Sequence, residues 1–519
     1  MNSFSFNVLL EPWIPALYLD GKFEERGILG CLEDAHQIRE IRSPAPIIEF
    51  GLYRLLVAFV LDALITADRR PEDEFDLQDL MQAGRFDMQL MQGYIKECGD
   101  VFDLFHPERP FLQTKMGNEP LKPLAGMFPA VPSGTNVSIW HHEYEERLAV
   151  NCQEAARMLT TIAPFMIAGG SGLGRSINSD PPLYSLVVGD SLFETLILNM
   201  PLTLKRSLEG DVIAWRNSMP PGKAYSQISV LQAFTWRPRQ IQLIPKSESS
   251  KIKVSLMRFT KGDTSEGNTS ESNWRDPSVS YKFENKKTTA IRLCKNRPIW
   301  RDAGALMLLN DRSCFGGDKK IVFRRPDVLE QSLKLVKERD VLLINVYGMR
   351  ADNAKVFEWI KSVFTVPYSL GCNTRLGAIL FNELKQAEDA AFSLRASVKA
   401  LYPREYEEKS KQPVKGKKKR NVMGALLARS ERGYWQKLEP VFHELMAAFG
   451  RLEEEAADDP VLIVETAKDW RKSIRQIALD QFEAVAKDMD ADSDALERLV
   501  HARTRLGRSL AKLVGEVVR

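Results

Sequence analysis

The last third of this 519-residue chain is dominated by long segments in which apolar residues recur with the 3.6-residue period of an α-helix. The clearest of these segments lie at 433–449, 461–487 and 492–518. Only short interruptions separate them, which is typical of helices that pack as antiparallel neighbours. The pattern therefore predicts an antiparallel four-helix bundle that forms a separate C-terminal domain at 379–519.

The first 378 residues carry shorter and more mixed patterns. A helical period runs over 47–64, and alternating apolar and polar residues predict strands at 4–10, 230–243 and 251–259. A chain of 519 residues with 44% hydrophobic side chains has material for more than one hydrophobic core. We therefore predict an α+β protein, with a large mixed N-terminal domain at 1–378 that contains irregular loops.

Charge and composition give little direct information about a partner. The 72 Lys and Arg residues against 69 Asp and Glu residues leave a net charge of +3, too small to indicate a polyanion partner by itself. The cysteines include no Cys-x-x-Cys pair and the histidines no His-x-x-x-His pair. We recognise neither a signal peptide nor an apolar run long enough to span a bilayer. These observations predict a cytoplasmic protein without a metal, a cofactor or a membrane contact.

Glycine is concentrated at 169–174, in the order Gly-Gly-Ser-Gly-Leu-Gly. A dinucleotide-binding fingerprint requires Gly-x-Gly-x-x-Gly, and Arg175 stands where its last glycine belongs. Because glycine has no Cβ, the segment predicts either an ordinary turn or a backbone that closely approaches a phosphate or a groove.

A compact polar projection is indicated after the apolar run Val341–Ile344. That run predicts a strand, Gly348, Met349 and Arg350 favour a turn, and short polar side chains follow at 352–354. A polar wedge would then stand at the end of the strand, beside an arginine.

Basic residues cluster in two places in the helical region. Lys417, Lys418 and Lys419 belong to a Lys-rich run at 415–420, which predicts either a solvated loop or a site that attracts a phosphate backbone. In the last helix a basic stripe lies opposite an apolar one. The basic stripe predicts either an ordinary solvated face or contacts with phosphates, and it includes Arg505, Arg508 and Lys512.

A stretch rich in Pro, Gly, Ser and Thr at 120–136 predicts a long irregular loop. It runs into the sequence Trp140-His141-His142. These aromatic side chains would either stack on nucleic-acid bases or cap the helix that follows.

Three segments together resemble a known family. They are Asn-Val-Leu-Leu-Glu-Pro-Trp-Ile-Pro at 7–15, Phe-Asp-Leu-Phe-His-Pro-Glu-Arg-Pro-Phe-Leu-Gln at 102–113, and Tyr-Gly-Met-Arg-Ala-Asp-Asn-Ala at 347–354. The chain resembles the large subunit of the type I-E CRISPR surveillance complex Cascade, the CasA family. The resemblance implies a non-catalytic subunit that reads the motif flanking the protospacer in double-stranded target DNA and opens the duplex. It also implies association with guide RNA and other Cascade subunits, and recruitment of a helicase-nuclease.

The resemblance also assigns roles to particular residues. It implies a wedge at Asp352, Asn353 and Ala354, with Arg350 beside it, and a groove-probing lysine at Lys261, with Lys251 or Lys253 as alternatives. The glycine-rich loop of the family is matched by Gly169, Gly170, Ser171 and Gly172. A loop that docks on the guide and on other subunits is matched by Asn136, Ile139, Trp140 and His141.

Two other classes of function remain open from the sequence. A hydrolase would use Asp276 or Asp302, each of which follows a Trp-Arg pair, although no nucleophile or paired base accompanies them. A structural scaffold would use the helical bundle only to bind proteins and would not read DNA. Salt-sensitive DNA affinity separates a DNA reader from a scaffold.

Overall fold

The computed structural model describes residues 4–127, 148–167, 173–178, 180–202, 212–217, 221–266, 274–284, 287–308, 310–316, 319–337, 339–352, 355–401, 422–488 and 492–513. The chain divides into two compact units. The first comprises Met1–Leu293 and Asp311–Thr365, and the second comprises Cys294–Asn310 and Val366–Arg519. The second unit therefore begins earlier than residue 379, and it includes a segment from the middle of the chain.

Most of the strands are short, and the longest form two pairs. In chain order the strands are β1 (Ile14–Tyr18), β2 (Phe23–Arg26), β3 (Ile38–Ile41), β4 (Lys122–Pro123), β5 (Val150–Asn151), β6 (Tyr184–Val188), β7 (Ala224–Tyr225), β8 (Arg239–Glu248), β9 (Lys251–Lys261), β10 (Thr264–Ser265), β11 (Tyr281–Glu284), β12 (Lys287–Ala290), β13 (Asn310–Gly316), β14 (Lys319–Arg324), β15 (Val341–Asp352) and β16 (Lys355–Pro367).

These strands form several small sheets. In the first sheet β1 lies between β2 and β3. In a second sheet β7 pairs with β10. A third sheet has the strand order β12-β11-β14-β13. β8 and β9 form an antiparallel hairpin, and β9 also pairs with β4 and β5. Ser249 and Ser250 join that hairpin with φ angles of 50° and 62°, as a two-residue hairpin turn requires. β15 lies between β6 and β16.

One helix of the first unit is buried, and several of the others pack against it. The helices of this unit are α1 (Ile28–Glu33), α2 (Pro46–Thr66), α3 (Glu74–Gln82), α4 (Met88–Cys98), α5 (Cys152–Thr160), α6 (Ile162–Phe165), α7 (Leu192–Leu198), α8 (Val230–Phe234) and α9 (Asp327–Leu335). α2 covers the helix predicted at 47–64 and is buried over most of its length, as expected of a helix that is apolar on all sides.

Helix α2 also carries buried charges. Glu49, Arg54 and Asp62 are each less than 5% exposed. A charge away from water is stable only when it is paired or hydrogen-bonded, so each of these residues needs a partner from another segment.

Two of these partners come from distant parts of the first unit. Arg54 Nη2 lies 2.7 Å from Asp276 Oδ2, and both side chains are at most 3% exposed. The hydroxyl of Tyr94, on α4, donates to Asp62 Oδ2 at 2.5 Å. These contacts fix α4 and the segment around residue 276 against the same helix.

Three local predictions in the first unit were wrong. The strand predicted at 4–10 is reduced to one antiparallel bridge between Asn7 and Asp103. A turn follows it, because the Asn7 side chain and carbonyl accept hydrogen bonds from Leu9 N and Glu11 N. The start of the strand predicted at 230–243 is helix α8, in which Leu231 and Phe234, three residues apart, share a buried face. Residues 348–350 are not a turn, since strand β15 continues through them to Asp352. The strand predicted at 251–259 is confirmed as β9.

The second unit is largely helical. Its helices are α10 (Tyr368–Cys372), α11 (Thr374–Ala400), α12 (Val422–Gly450), α13 (Pro460–Thr466), α14 (Lys468–Ala486) and α15 (Ser493–Leu513). α11 packs against α12, α14 and α15. α12 and α14 run antiparallel, because Arg429 near the start of α12 pairs with Asp488 just after the end of α14. The α+β fold with a helical C-terminal region is confirmed.

The segment 294–310 packs against the helices of the second unit, and one of its aromatic side chains enters their core. Trp300 is stacked on Phe442 of α12 with 5.0 Å between ring centroids, and it also contacts Trp435 and Trp470. All four rings are buried. The core of the helical unit is therefore completed by a residue that precedes its first helix by more than sixty positions.

Candidate nucleic-acid interface

Arg237 and Pro238 precede strand β8, and Arg239 is its first residue. Together they form a backbone surface that we call the 237–239 platform. The carbonyl of Pro238 accepts a hydrogen bond from Gly262 N at 3.0 Å, and that of Arg237 accepts one from Asp263 N at 2.7 Å. A Cβ on Gly262 would lie 2.2 Å from Arg237 O. The chain after β9 thus lies directly on the platform, at a distance that only glycine permits.

The described ends of the glycine-rich segment reach the same platform. Arg239 Nη2 donates to Ile167 O at 2.8 Å on one side of the segment. On the other side, a Cβ on Gly174 would lie 2.5 Å from Pro238 O. The backbone N–H of Ser176 donates to Met166 O at 2.7 Å, and this hydrogen bond joins the two ends of the glycine-rich segment. Gly169, Gly170, Ser171 and Gly172 themselves lie outside the described residues.

Lys261 also lies beside the 237–239 platform. It is the last residue of β9, is exposed, and is the cross-strand partner of Arg239 in the hairpin. Lys251 begins the same strand, ten positions earlier, and at about 3.3 Å per residue it lies about 33 Å away. Of the lysines considered from the sequence, Lys261 is the one beside the ends of the glycine-rich segment.

The predicted wedge follows the longest strand pair. β15 ends at Asp352 and β16 begins at Lys355, so the chain reverses within two positions, which only antiparallel strands allow. Asn353 and Ala354 lie outside the described residues. Arg350 Nε is 2.5 Å from Glu358 Oε1, and its guanidinium covers the exposed Phe357 ring at 4.6 Å. Arg350 therefore already has partners on β16.

A buried carboxylate anchors this strand pair, and no sequence pattern indicated it. The Tyr347 hydroxyl donates to Glu49 Oε1 at 2.6 Å, and Lys361 Nζ lies 2.6 Å from the same oxygen. Burial, together with the charge of Glu49, raises the pKa of Tyr347 well above its usual value, so the hydroxyl remains a donor. Glu49 thereby fixes one residue of β15 and one of β16 against α2.

The basic stripe of the second unit lies on α15. Arg505, Arg508 and Lys512 are exposed, whereas Leu506 and Leu510 are fully buried. Within the described part of the chain, no carboxylate lies within ion-pair distance of the three basic side chains. A groove of about 400 Å³ follows this face and is lined by His501, Thr504, Arg505, Arg508, Ser509 and Lys512.

Two further groups of predicted residues are not described. Lys417, Lys418 and Lys419 lie outside the described residues, and so do Asn136, Ile139, Trp140 and His141. Their assignments stay predictions.

The aspartates considered for a hydrolase have structural partners. Asp276 is buried against Arg54 and also accepts a hydrogen bond from Asn178 at 3.1 Å. Asp302 binds the guanidinium of Arg297 through both of its oxygens. Both carboxylates are thus engaged in holding the fold.

The described residues contain no group of three or more His, Cys, Asp or Glu side chains that could hold a metal ion. None of the helices that the structure describes is long and apolar enough to cross a membrane.

Comparison with known proteins decides the family. The model of the family described as CRISPR-associated protein Cse1 matches residues 7–481. The chain belongs to the Cse1 (CasA) family. The CasA/Cse1 protein of Thermus thermophilus is 28% identical over 536 residues, which cover 99% of each sequence. The resemblance inferred from the sequence, to the large subunit of type I-E Cascade, is confirmed.

Solved structures share the fold over nearly the whole chain. The crystal structure of Thermus thermophilus CasA has a TM-score of 0.75 at 25% identity, covering 98% of this chain and 100% of that one. A chain of a structure described as a CRISPR RNA-guided surveillance complex has a TM-score of 0.72 at 21% identity, covering 97% and 99%. At 21% identity, the similarity to the surveillance-complex chain shows that the two proteins share a fold.

We expect Gly262→Ala to destabilise the first unit of this Cse1 protein. The new Cβ would meet the backbone of Arg237 and Arg239, which cannot rotate away as a flexible side chain would. Forced overpacking of this kind costs about 1–3 kcal/mol. Thermal unfolding followed by circular dichroism measures the effect. Gly117→Ala is the matched control, because no described atom lies within 4 Å of a Cβ there, and an unchanged melting temperature for both variants would contradict the close approach.

Proposed function

We propose that this protein is the non-catalytic large subunit of an RNA-guided DNA surveillance complex. In that complex it reads the protospacer-adjacent motif in duplex DNA, opens the duplex to start R-loop formation, and helps to recruit the helicase-nuclease. The observation that carries the proposal is the match of the Cse1 family model over residues 7–481. The similarity of the fold to a chain of an RNA-guided surveillance complex supports it.

Flank recognition is assigned to Lys261 and the glycine-rich segment. Their convergence on the 237–239 platform supports this assignment, because a mobile cation and a close-approaching backbone are then held side by side. The minor groove offers a degenerate set of acceptors, so few donors suffice to read it. A reader built in this way would tolerate several flanking sequences.

Duplex opening is assigned to Asp352, Asn353 and Ala354. The wedge would stand at the end of strands that Glu49 fixes through Tyr347 and Lys361. A rigid support matters because opening a base pair costs a few kcal/mol, and a flexible wedge would yield before the duplex does.

The remaining predicted residues are assigned to positioning and docking. Arg505, Arg508 and Lys512 would hold a DNA strand by its phosphates, with Lys417, Lys418 and Lys419 in a supporting role. Asn136, Ile139, Trp140 and His141 would dock on guide RNA and on neighbouring subunits. The basic face of α15 supports the first assignment, since it is exposed opposite a buried leucine stripe.

Flank recognition is tested with Lys261→Ala in the assembled complex. We expect affinity for a duplex with the matched flank to fall by about 1–3 kcal/mol, the usual value of a good base-edge contact. Affinity for a scrambled flank should hardly change. Lys251→Ala, at the other end of the same strand, is the matched control and should bind both duplexes as the parent does. An equal loss on both duplexes would show that Lys261 contacts only phosphate.

The wedge is tested by combining Asp352→Ala with Asn353→Ala. We expect R-loop formation on a fully paired target to slow, because the side chains that fill the opened base step are removed. Capture of the duplex should be retained. A target whose flank is already unpaired is the control and should restore the parental rate. Equal defects on the paired and unpaired targets would contradict the wedge.

The basic face is tested by replacing Arg505, Arg508 and Lys512 with glutamine. The slope of log affinity against log salt should become shallower by up to about 0.7–0.9 for each lost phosphate contact. Flank preference should be unchanged, because phosphate contacts carry no base information. A melting curve first establishes that the helical unit still folds. A parental salt slope in a folded triple variant would remove α15 from the DNA path and leave the Lys-rich run at 415–420, or a protein partner, as the better explanation of the basic face.

A further inference from the structure

A small cavity lies between the 237–239 platform and helix α2. Its volume is about 30 Å³, and its wall includes Gly51 of α2, Phe234, Trp236 and two arginines, Arg237 and Arg239. Since about 10–15 Å³ is enough for one water molecule, the cavity has room for a small ion. Most of the residues in the wall are apolar, and its charged residues are the two arginines.

Among the described residues, Arg239 is a buried cation without a counter-charge. Its side chain is only 6% exposed, and one of its nitrogens is used by the carbonyl of Ile167. Its Nε is buried and has no hydrogen-bond partner within the described part of the chain. Burial is the one cause that lowers the pKa of Arg239 to about 10, so no described carboxylate offsets the loss of hydration. An unpaired buried charge of this kind is strongly unfavourable unless something neutralises it.

The second arginine is paired with a nearby acid. Arg237 Nε lies 3.7 Å from Asp263 Oδ2, while Asp263 Oδ1 accepts hydrogen bonds from Gly222 N at 2.8 Å and Lys223 N at 3.3 Å. Asp263 and Arg237 therefore balance each other. With Arg239 added, the group of three side chains carries one uncompensated positive charge.

The hydroxyl groups in the wall do not supply further donors. Thr160 Oγ1 donates to Arg157 O at 2.7 Å, and Thr235 Oγ1 donates to Leu231 O at 2.8 Å. Their hydrogens are thus directed at backbone carbonyls. Among the donors of the wall, the Nε–H of Arg239 is buried and has no hydrogen-bond partner within the described part of the chain, which favours a ligand that needs few hydrogen bonds.

We propose that this cavity binds a small monovalent inorganic anion of the halide class, chloride being the example tested, through Arg239. One negative charge neutralises the group, whereas a doubly charged phosphate would leave it negative. A halide also tolerates the apolar contacts of Phe234 and Trp236 better than a strongly hydrated oxyanion does. The bound anion stabilises the wall from which Arg239 reaches Ile167, at the base of the glycine-rich segment.

The test is the melting temperature of the full chain in sodium chloride and in sodium gluconate at equal ionic strength. Gluconate is too large for the cavity. Because a ligand that binds only the folded state stabilises it in proportion to ln(1 + [L]/Kd), the parent should melt about 1–3 °C higher in chloride, with a gain that rises with the logarithm of the chloride concentration once that concentration exceeds Kd. Arg239→Met, which keeps an unbranched apolar stem and removes the guanidinium group, should lose the difference. Arg324→Met, at an exposed pair with Asp327, should keep it.

Crystals of the parent protein soaked in bromide give an answer that does not depend on the folding of a variant. An anomalous peak within hydrogen-bond distance of Arg239 Nε is expected. The proposal is overturned by the absence of that peak, by equal melting of the parent in the two salts, or by a folded Arg239→Met variant that keeps the chloride dependence. A greater stabilisation by inorganic phosphate than by chloride would also overturn it. None of these results depends on whether the protein reads DNA.

Discussion

The first unit depends on the charges buried along helix α2. Glu49, Arg54 and Asp62 lie on a helix that is otherwise apolar on nearly every side. Removing one member of a buried ion pair typically costs about 3–5 kcal/mol, because the other charge is left without a partner. Each of the three therefore specifies which distant segment must pack against α2, and a merely hydrophobic contact would not discriminate in this way.

The segments proposed to recognise and open DNA are positioned by contacts with helix α2. Glu49 fixes strands β15 and β16 through Tyr347 and Lys361, and these strands lead to the proposed wedge. Close to Glu49 on the same helix, a Cβ on Gly51 would lie 2.7 Å from Thr160 O, so α5 also approaches α2 at backbone distance. Gly51 borders the cavity beside the 237–239 platform as well. Helix α2 thus contacts both the strands that lead to the proposed wedge and the cavity wall beside the 237–239 platform.

Local sequence patterns predicted the elements that the residues of one segment suffice to indicate. The periodic helices of the second unit, helix α2 and strand β9 were all predicted from the apolar residues within each segment. Residues 348–350 were misread as a turn because Gly348 suggests flexibility. In the structure Gly348 belongs to β15, where a Cβ would meet Leu183 Cδ2 at 2.6 Å. The glycine marks a close approach between segments, which a local pattern does not distinguish from a bend.

The residues of the candidate site were predicted from the sequence with the help of a family resemblance and stay predictions, whereas the contacts that support them were not predicted. Lys261 was selected from a resemblance, and its position beside Arg239 follows from the hairpin register. Neither Glu49 nor the 237–239 platform was anticipated. Their partners are distant in the chain, 72 positions for Arg239 with Ile167 and 298 for Glu49 with Tyr347. A periodic pattern within one segment does not indicate contacts between residues that are so far apart in the sequence.

The placement of Trp300 has a consequence for the order in which the protein is made. The chain leaves the first unit at 294, returns at 311 and leaves again at 366. During synthesis at about 5–20 residues per second, Phe442 follows Trp300 by roughly 140 residues, or about 7 to 30 s. Throughout that interval Trp300 has no helical core to enter. The helices at 366–519 therefore cannot complete the core of the helical unit by themselves, because that core also needs Trp300, which left the ribosome long before them.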